Sequence, residues 1–433
     1  MKKNIWILPL KMLFVLACGI VIGFLLLLAV YALPTEPMAA NVRASVPAFN
    51  GEWATELSYE TLIPGYQGTQ LDNSTDAAML LHAVHTSDDP ITVRIAEGYR
   101  YVSEGNAFHA LIEFGEKGDE TLRANPIARY WHGYLVLLKP LLLVVTYLDI
   151  RMVLTIVQGC MMAAIIAGLC RRRLAHLVPA FVLSLLCITP SAAGLSLQFS
   201  TVFCTALLAM ILLLYLPAKH FEGHGLPLFF LLGGMLTSYV DYLTYPLVAF
   251  GLPFVLCLFL FPADSAKAEW KRLILCGICW GIGYLGMWAG KWLIAGIFGN
   301  EPWFWANLFA KISERGSDTA GAVSLDYGDV LKAVLGVFAK RAYLLTLIAA
   351  ALAWLFVWLR RRRLSLKTSP LSSGTVLALL AVALLPFVWY FFTKNHSYIH
   401  AFYTSRNLAV SAFALCCYFV SLLPKNLYKP EKL

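Results

Sequence analysis

Two carboxylates, Asp72 and Asp76, stand four residues apart in the stretch Leu71-Asp72-Asn73-Ser74-Thr75-Asp76-Ala77-Ala78-Met79-Leu80-Leu81. On a helix that spacing places both on one side. A carboxylate within hydrogen-bond reach of a hydroxyl can take its proton as a general base. The same residues are good helix-start chemistry, with Asp72, Ser74 or Thr75 as N-cap before Ala77. Spacing alone leaves both readings open. Asn73-Ser74-Thr75 also matches a glycosylation sequon, a cheap match that carries little weight.

Asp241 interrupts an apolar run within Tyr239-Val240-Asp241-Tyr242-Leu243-Thr244-Tyr245-Pro246. A carboxylate at such depth is costly and marks a functional site by default; an aromatic interfacial turn with a solvated Asp is the alternative. Asn395-His396-Ser397-Tyr398-Ile399-His400 precedes Arg406. His396 and His400 share a helical face at i, i+4. No flanking Glu completes a zincin-type metal motif, so no metal is expected. Imidazoles with Lys394 and Arg406 suit a phosphate better, through charge pairing and directed donors. Arg129, His132 and Lys139 form a further cationic group, which could bind phosphate or snorkel to lipid headgroups. Tyr242 and Tyr398 are expected to line the same pocket as Asp241.

The elements that must position these residues are mostly lipid-soluble. Of 433 residues 59% are hydrophobic and 14% charged, and the mean hydropathy is +0.69. A soluble globular protein is excluded. Apolar runs of membrane-spanning length recur along the chain, so an all-α polytopic membrane protein of about ten transmembrane helices is expected. The formal net charge of +9 does not signal nucleic acid, because the surplus sits in short clusters at the ends of apolar runs, where it reports topology. All ten cysteines fall in apolar runs, so no disulfide framework is expected. Cys276-Gly277-Ile278-Cys279 has redox or zinc spacing but no neighbouring His or acid, and reads as helix packing.

The organisation follows from these runs. Residues 1–33 form a first transmembrane helix, too long for a signal peptide's apolar core. Residues 34–148 form a large extracytoplasmic loop with short amphipathic and interfacial helices. Residues 149–298 form a transmembrane bundle, 299–342 a second extracytoplasmic loop, and 343–433 the C-terminal transmembrane helices. Arg171-Arg172-Arg173, Lys267 with Lys271 and Arg272, Arg360 to Arg363 with Lys367, and Lys425, Lys429 and Lys432 fall on alternate loops. Both termini are therefore expected in the cytoplasm.

This arrangement resembles the GT-C superfamily of membrane glycosyltransferases in layout over the whole chain. At motif level the likeness covers Leu71 to Leu81, Tyr130-Trp131-His132-Gly133, Tyr239 to Pro246, and Asn395 to Arg406. The resemblance implies an enzyme that takes a sugar from a polyprenyl-phosphate carrier on the extracytoplasmic face and passes it to a glycan, lipid or protein acceptor. It implies Asp72 or Asp76 as the base. It implies Arg129, His132, Lys139, His396, His400 and Arg406 as candidates for the carrier phosphate. The acid lies about forty residues beyond the first helix, later than is usual in that superfamily, and the link Ser191 to Ser200 has no acidic pair. Direct displacement would invert the anomeric centre, and prearranged cations would stabilise the leaving lipid phosphate. A bacterial inner membrane is the expected location. Two other classes stay open: a transporter or flippase of lipid-linked sugars, and an envelope polysaccharide polymerase or acyltransferase. A transporter predicts polar residues spread through the depth of the bundle; here they cluster at one side.

Overall fold

The computed structural model describes residues 6–50, 60–363 and 371–423. The basic residues Lys2, Lys3, Lys367, Lys425, Lys429 and Lys432 lie outside them. The chain is mostly helical, at 75%. Six helices are long and apolar enough to cross a membrane: Ile7–Tyr31, Tyr147–Arg171, Leu197–Tyr215, Ala266–Phe298, Arg341–Arg360 and Ser373–Phe392. This is the make-up of a multi-pass membrane protein.

Four further apolar segments fold as shorter helices, Val178–Ile188, Gly225–Val240, Val248–Leu260 and Leu408–Ser421. Polar or strained residues cut the first three short. Thr189, with φ 53°, ends the first, and Asp241 followed by Leu243, with φ 66°, separates the second from the third. A non-glycine residue in the left-handed region is held there by its surroundings.

The spans differ in depth. In Leu197–Tyr215, 72% of the apolar window is buried, against none in Arg341–Arg360. The first is the centre of the bundle: it packs against Tyr147–Arg171 and Val248–Leu260, and its Phe199 meets the rings of Tyr245, Phe402 and Tyr403. The last presents its apolar face outward. Gly225–Val240 and Ala266–Phe298 approach so closely that a methyl group on Gly234 would lie 2.0 Å from the Trp280 carbonyl oxygen. One on Gly283 would lie 2.1 Å from that of Leu231. Small residues at such a crossing let backbones pack directly, as membrane helices require.

The polar segment after the first helix is folded. Asn73–Ala83 is buried along most of its length and packs against Ala107–Lys117, beside a small hairpin that pairs Arg100–Val102 with Arg123–Asn125. The sequence pattern anticipates the helices but not the strands, which are too short to show a period of two. A second two-residue pairing joins Thr319–Ala320 to Val323–Ser324. Long-range bonds moor this segment to the spans. Lys291 donates to the carbonyls of Ile95 (3.1 Å) and Ala96 (2.6 Å), and Trp131 Nε1 to that of Met287 (2.6 Å). Gly133 N donates to the Tyr239 carbonyl (2.8 Å). A buried ammonium satisfied by the open carbonyls at a helix end is how a lysine is kept inside a span.

The glycine crossing gives a first test. Gly283→Leu forces the helix pair apart and is expected to cost about 1–3 kcal/mol, read as a lower thermal midpoint in detergent. Gly281→Leu, two residues away on the other side of the helix, where nothing lies within 4 Å, should leave the midpoint unchanged.

Candidate functional site

Asp72 and Asp76 both sit on the first turn of Asn73–Ala83, and the structure separates their roles. Asp72 is the N-cap: its Oδ1 accepts from Thr75 N (2.9 Å) and its Oδ2 from Thr75 Oγ1 (2.8 Å). Asp76 is fully buried and accepts four bonds. Ser196 Oγ and Gln198 N reach its Oδ1, each at 3.1 Å, while Tyr147 Oη (2.6 Å) and Leu197 N (2.9 Å) reach its Oδ2. Those backbone donors open the central helix Leu197–Tyr215, where a negative charge meets the positive end of the helix dipole. The oxygens of Asp76 are therefore spent on structure. Among the described residues Asp72 takes side-chain bonds from Thr75 alone, which leaves lone pairs free.

Burial pushes the Asp72 carboxyl up to about 7; the two Thr75 bonds and the Arg406 charge oppose that rise, and the nearby Asp76 adds to it. Burial likewise raises Asp76. Asp241 repeats the Asp72 arrangement, with a threonine three residues on. Its Oδ1 accepts from Thr244 N (3.0 Å) and Thr244 Oγ1 (2.6 Å), and burial lifts it to about 6 against these bonds. The buried phenol of Tyr403 lies within electrostatic range of Asp72, Tyr130, Arg315 and Asp241.

The six expected phosphate residues do not form one group. Arg406 is 1% exposed. It donates to the carbonyls of Ile188 (3.0 Å), Phe402 (2.8 Å) and Gly68 (3.3 Å), and stacks 4.0 Å from the Phe199 ring centroid. Lys139 is buried and donates to the Ala83 carbonyl (2.7 Å); burial and the Arg94 charge lower it to about 8. His396 and His400 do meet, with ring centroids 5.0 Å apart. His396 Nε2 bonds the Leu243 carbonyl (2.8 Å), and His400 stacks on Tyr403. Burial, then the neighbouring cations, lower them to about 3 and 4, so both are neutral rings. Tyr398 packs in a satellite cluster around Val330 and Val334.

His132 belongs to a buried chain whose polarity one carbonyl fixes. Its Nε2 faces the Ile127 carbonyl (3.0 Å) and must donate, so its Nδ1 accepts from Tyr242 Oη (2.8 Å). Tyr242 then accepts from Tyr134 (2.7 Å), Tyr134 from His82 Nδ1 (3.1 Å), and His82 Nε2 from Tyr31 (2.8 Å). Burial drives His132 down to about 3 and His82 well below its ordinary value. Tyr242 is thus committed to this chain.

Only Arg129 of the six reaches the site with donors to spare. Its guanidinium lies 5.1 Å from the Tyr130 ring centroid, and its buried Nε has no partner. The cation that sequence reasoning missed is Arg315, on Phe304–Gly316. It bonds Tyr130 Oη and stands 5.6 Å from that ring's centroid. Burial would raise the Tyr130 hydroxyl, but Arg315 and Arg129 together hold it below the usual tyrosine value. The available signal was Lys311 and Arg315 at i, i+4 on an amphipathic helix.

Arg315 heads a cleft of about 530 Å³ between Ala266–Phe298 and Ser373–Phe392, walled by Phe250, Trp280, Tyr284, Trp288 and Trp389. Leu285 and Phe392 at its margin are exposed. A small gap of about 10 Å³ adjoins it, lined by Arg129, Tyr130, Trp288, Lys311 and Arg315. Among the described residues no three His, Cys, Asp or Glu side chains are placed to hold a metal ion. Comparison with protein families, with curated proteins and with solved structures returned no match.

The Asp72 carboxyl gives a pH test. Unfolded, it titrates near ~3.9; folded, it holds its proton to about 7. Between these values the native state binds the extra proton, so this contribution to stability is present below ~4 and lost as pH rises through about 7. Asp72→Asn keeps a capping oxygen and is expected to flatten the fall in stability between pH 5 and pH 8. The infrared band of a protonated carboxyl, present in the parent near pH 6 and missing from the variant, checks the assignment. Asp76→Ala strands four donors and is expected to cost about 3 kcal/mol or more, measured by denaturation in detergent.

Proposed function

We propose that the protein is a membrane glycosyltransferase. It moves a sugar from a polyprenyl-phosphate carrier to an envelope acceptor on the extracytoplasmic face, with inversion. The observation that carries this reading is one juxtaposition: a buried carboxylate with free lone pairs and a proton affinity near neutrality shares the surroundings of Tyr403 with a guanidinium heading an apolar cleft. A soluble substrate has no use for a cleft that opens between apolar helices, whereas a lipid carrier needs one.

In this reading Asp72 accepts the proton of the acceptor hydroxyl. The acceptor oxygen forms a bond to the anomeric carbon as that carbon's bond to the phosphate oxygen breaks, and the lipid phosphate leaves with the electron pair. Arg315 faces the charge that grows on it, and a fixed donor in a dry site costs no reorganisation at that moment. Tyr130, held by two guanidinium groups, provides a further acidic hydroxyl beside the leaving group. Asp76 and Arg406 hold the frame, and Asp241 orients the turn that carries Tyr242.

The finer topology belongs to the same proposal: about ten spans, the segments 34–148 and 299–342 on the extracytoplasmic side, both termini cytoplasmic, and a bacterial inner membrane. The clusters Arg171-Arg172-Arg173 and Arg360 to Arg363, at the ends of their helices away from the polar segments, support it.

A transfer assay in nanodiscs with radiolabelled polyprenyl-linked sugars and total envelope acceptor tests the reading. Asp72→Asn is expected to lower the transfer rate by ~10²–10⁴-fold, and Arg315→Ala by ~10²–10³-fold. Undiminished transfer with Asp72→Asn sinks the base assignment. No transfer from any donor, together with movement of lipid-linked sugar between leaflets in proteoliposomes, replaces the enzyme by a transporter.

A further inference from the structure

The helix Phe304–Gly316 is too short to span a membrane. Its 13 residues measure about 20 Å, against a hydrocarbon layer of about 30 Å. Its sides differ in kind. At about 100° a residue, Phe304, Leu308 and Arg315 share one side, Trp305, Phe309 and Ile312 a second, and Asn307, Lys311 and Glu314 a third. The first side is turned into the protein, where Phe304 and Leu308 pack with Ala128 and Ala295. The second is apolar and open, with Trp305 45%, Phe309 62% and Ile312 42% exposed. The third is polar and exposed. It lies opposite the apolar stripe, and the buried side stands roughly at right angles to both.

Contacts at its two ends fix which way the stripe points. A methyl group on Gly296 would lie 2.9 Å from Trp305 Cζ2. Gly296 stands on the exposed side of Ala266–Phe298, with Leu293 and Ile297. At the other end Ile312 lines the apolar cleft beside Leu285 and Trp389, and Gly316 lies against the carbonyl of Phe392, the last residue of Ser373–Phe392. The helix therefore lies across the ends of two spans. Both ends of its apolar stripe continue the surfaces that those spans present to lipid.

We propose that Phe304–Gly316 rides on the bilayer as an interfacial helix, with Trp305, Phe309 and Ile312 immersed in the leaflet that borders the polar segments. The partner of the stripe is lipid. Tryptophan favours the boundary between membrane and water, and a helix of this kind sinks about 5–10 Å into the border of headgroups and acyl chains. Asn307, Lys311 and Glu314 then stay among headgroups and water. Arg315, on the protein side of the helix, is held at the level of the lipid phosphates. This inference rests on the spans and their ends and does not depend on sugar transfer.

The test uses the full-length protein, labelled with fluorinated tryptophan, in phosphatidylcholine nanodiscs and read by fluorine NMR. The Trp305 resonance is the one that Trp305→Phe removes. One sample carries phosphatidylcholine with a nitroxide near the top of its acyl chain, and another a gadolinium chelate confined to water. Trp305 is expected to broaden several-fold more with the nitroxide lipid than with the chelate. Asn307→Trp places a reporter on the polar side, and its resonance should show the reverse order. Trp305 broadened mainly by the chelate overturns the inference, because the stripe then faces water. Trp305 untouched by both agents overturns it in favour of a protein partner, or a second copy of this chain, over the stripe. Phe309→Glu is a further check. Phe309 is exposed, so the thermal midpoint should hold, but a carboxylate is costly among acyl chains. Trp305 should then become several-fold more open to the chelate, and unchanged broadening in that variant overturns the immersed stripe as well.

Discussion

The Asp76 carboxylate is the constraint on which the arrangement depends. A buried carboxylate is tolerable only when its lone pairs are met. Asp76 meets that condition by taking donors from Tyr147, Ser196, Leu197 and Gln198, at the starts of two apolar helices. The polar segment is thereby fixed to the central helix of the bundle. Asp72 is the residue this fixes in place. It lies one turn earlier on the same short helix, so its position follows from the anchoring of Asp76, while its own oxygens stay largely free.

The same division of labour separates residues that look alike. Arg406 and Arg315 are both partly or wholly withdrawn from water on the same side of the molecule. Arg406 spends its fork on three backbone carbonyls and joins the end of Val178–Ile188 to the 67–69 turn and the 401–404 helix. Among the described residues Arg315 is bound only to Tyr130, and it borders an open cleft. A guanidinium whose donors end in carbonyls maintains a fold; one beside a cavity has donors to offer a ligand.

The aromatic chain from Tyr31 to His132 explains why the cations near the site are arginines. Its histidines sit in surroundings too dry and too rich in neighbouring positive charge to ionise, and each is fixed in one tautomer. Histidine is a useful cation only where water or a carboxylate supports its charged form. Guanidinium needs no such support and stays charged in the same surroundings. The strained φ of 57° at His132 is held by the bond from Gly133 to Tyr239 on one side and the Ile127 carbonyl on the other.

By itself the sequence determined the class and much of the layout: apolar helices, a folded polar segment after the first of them, basic clusters at helix ends, and Asp72 and Asp76 on one helical turn. These are local properties. Hydrophobic run length, charge position and i, i+4 spacing are readable within a window of a few turns. The tertiary structure alone decided which carboxylate is spent and which is free, because the donors that saturate Asp76 come from as far as 122 residues along the chain. It alone assigned His132, Lys139, His396 and Arg406 to packing, since each finds a partner on a distant element. It also placed Arg315 beside Tyr130, 185 residues away. Three expected spans became shorter helices because the turns at Thr189 and Asp241 are set by backbone strain and a side-chain cap, which hydropathy does not register. The chemistry of this chain was visible in its residue types, but the choice among them was made by burial, and burial is a property of the folded whole.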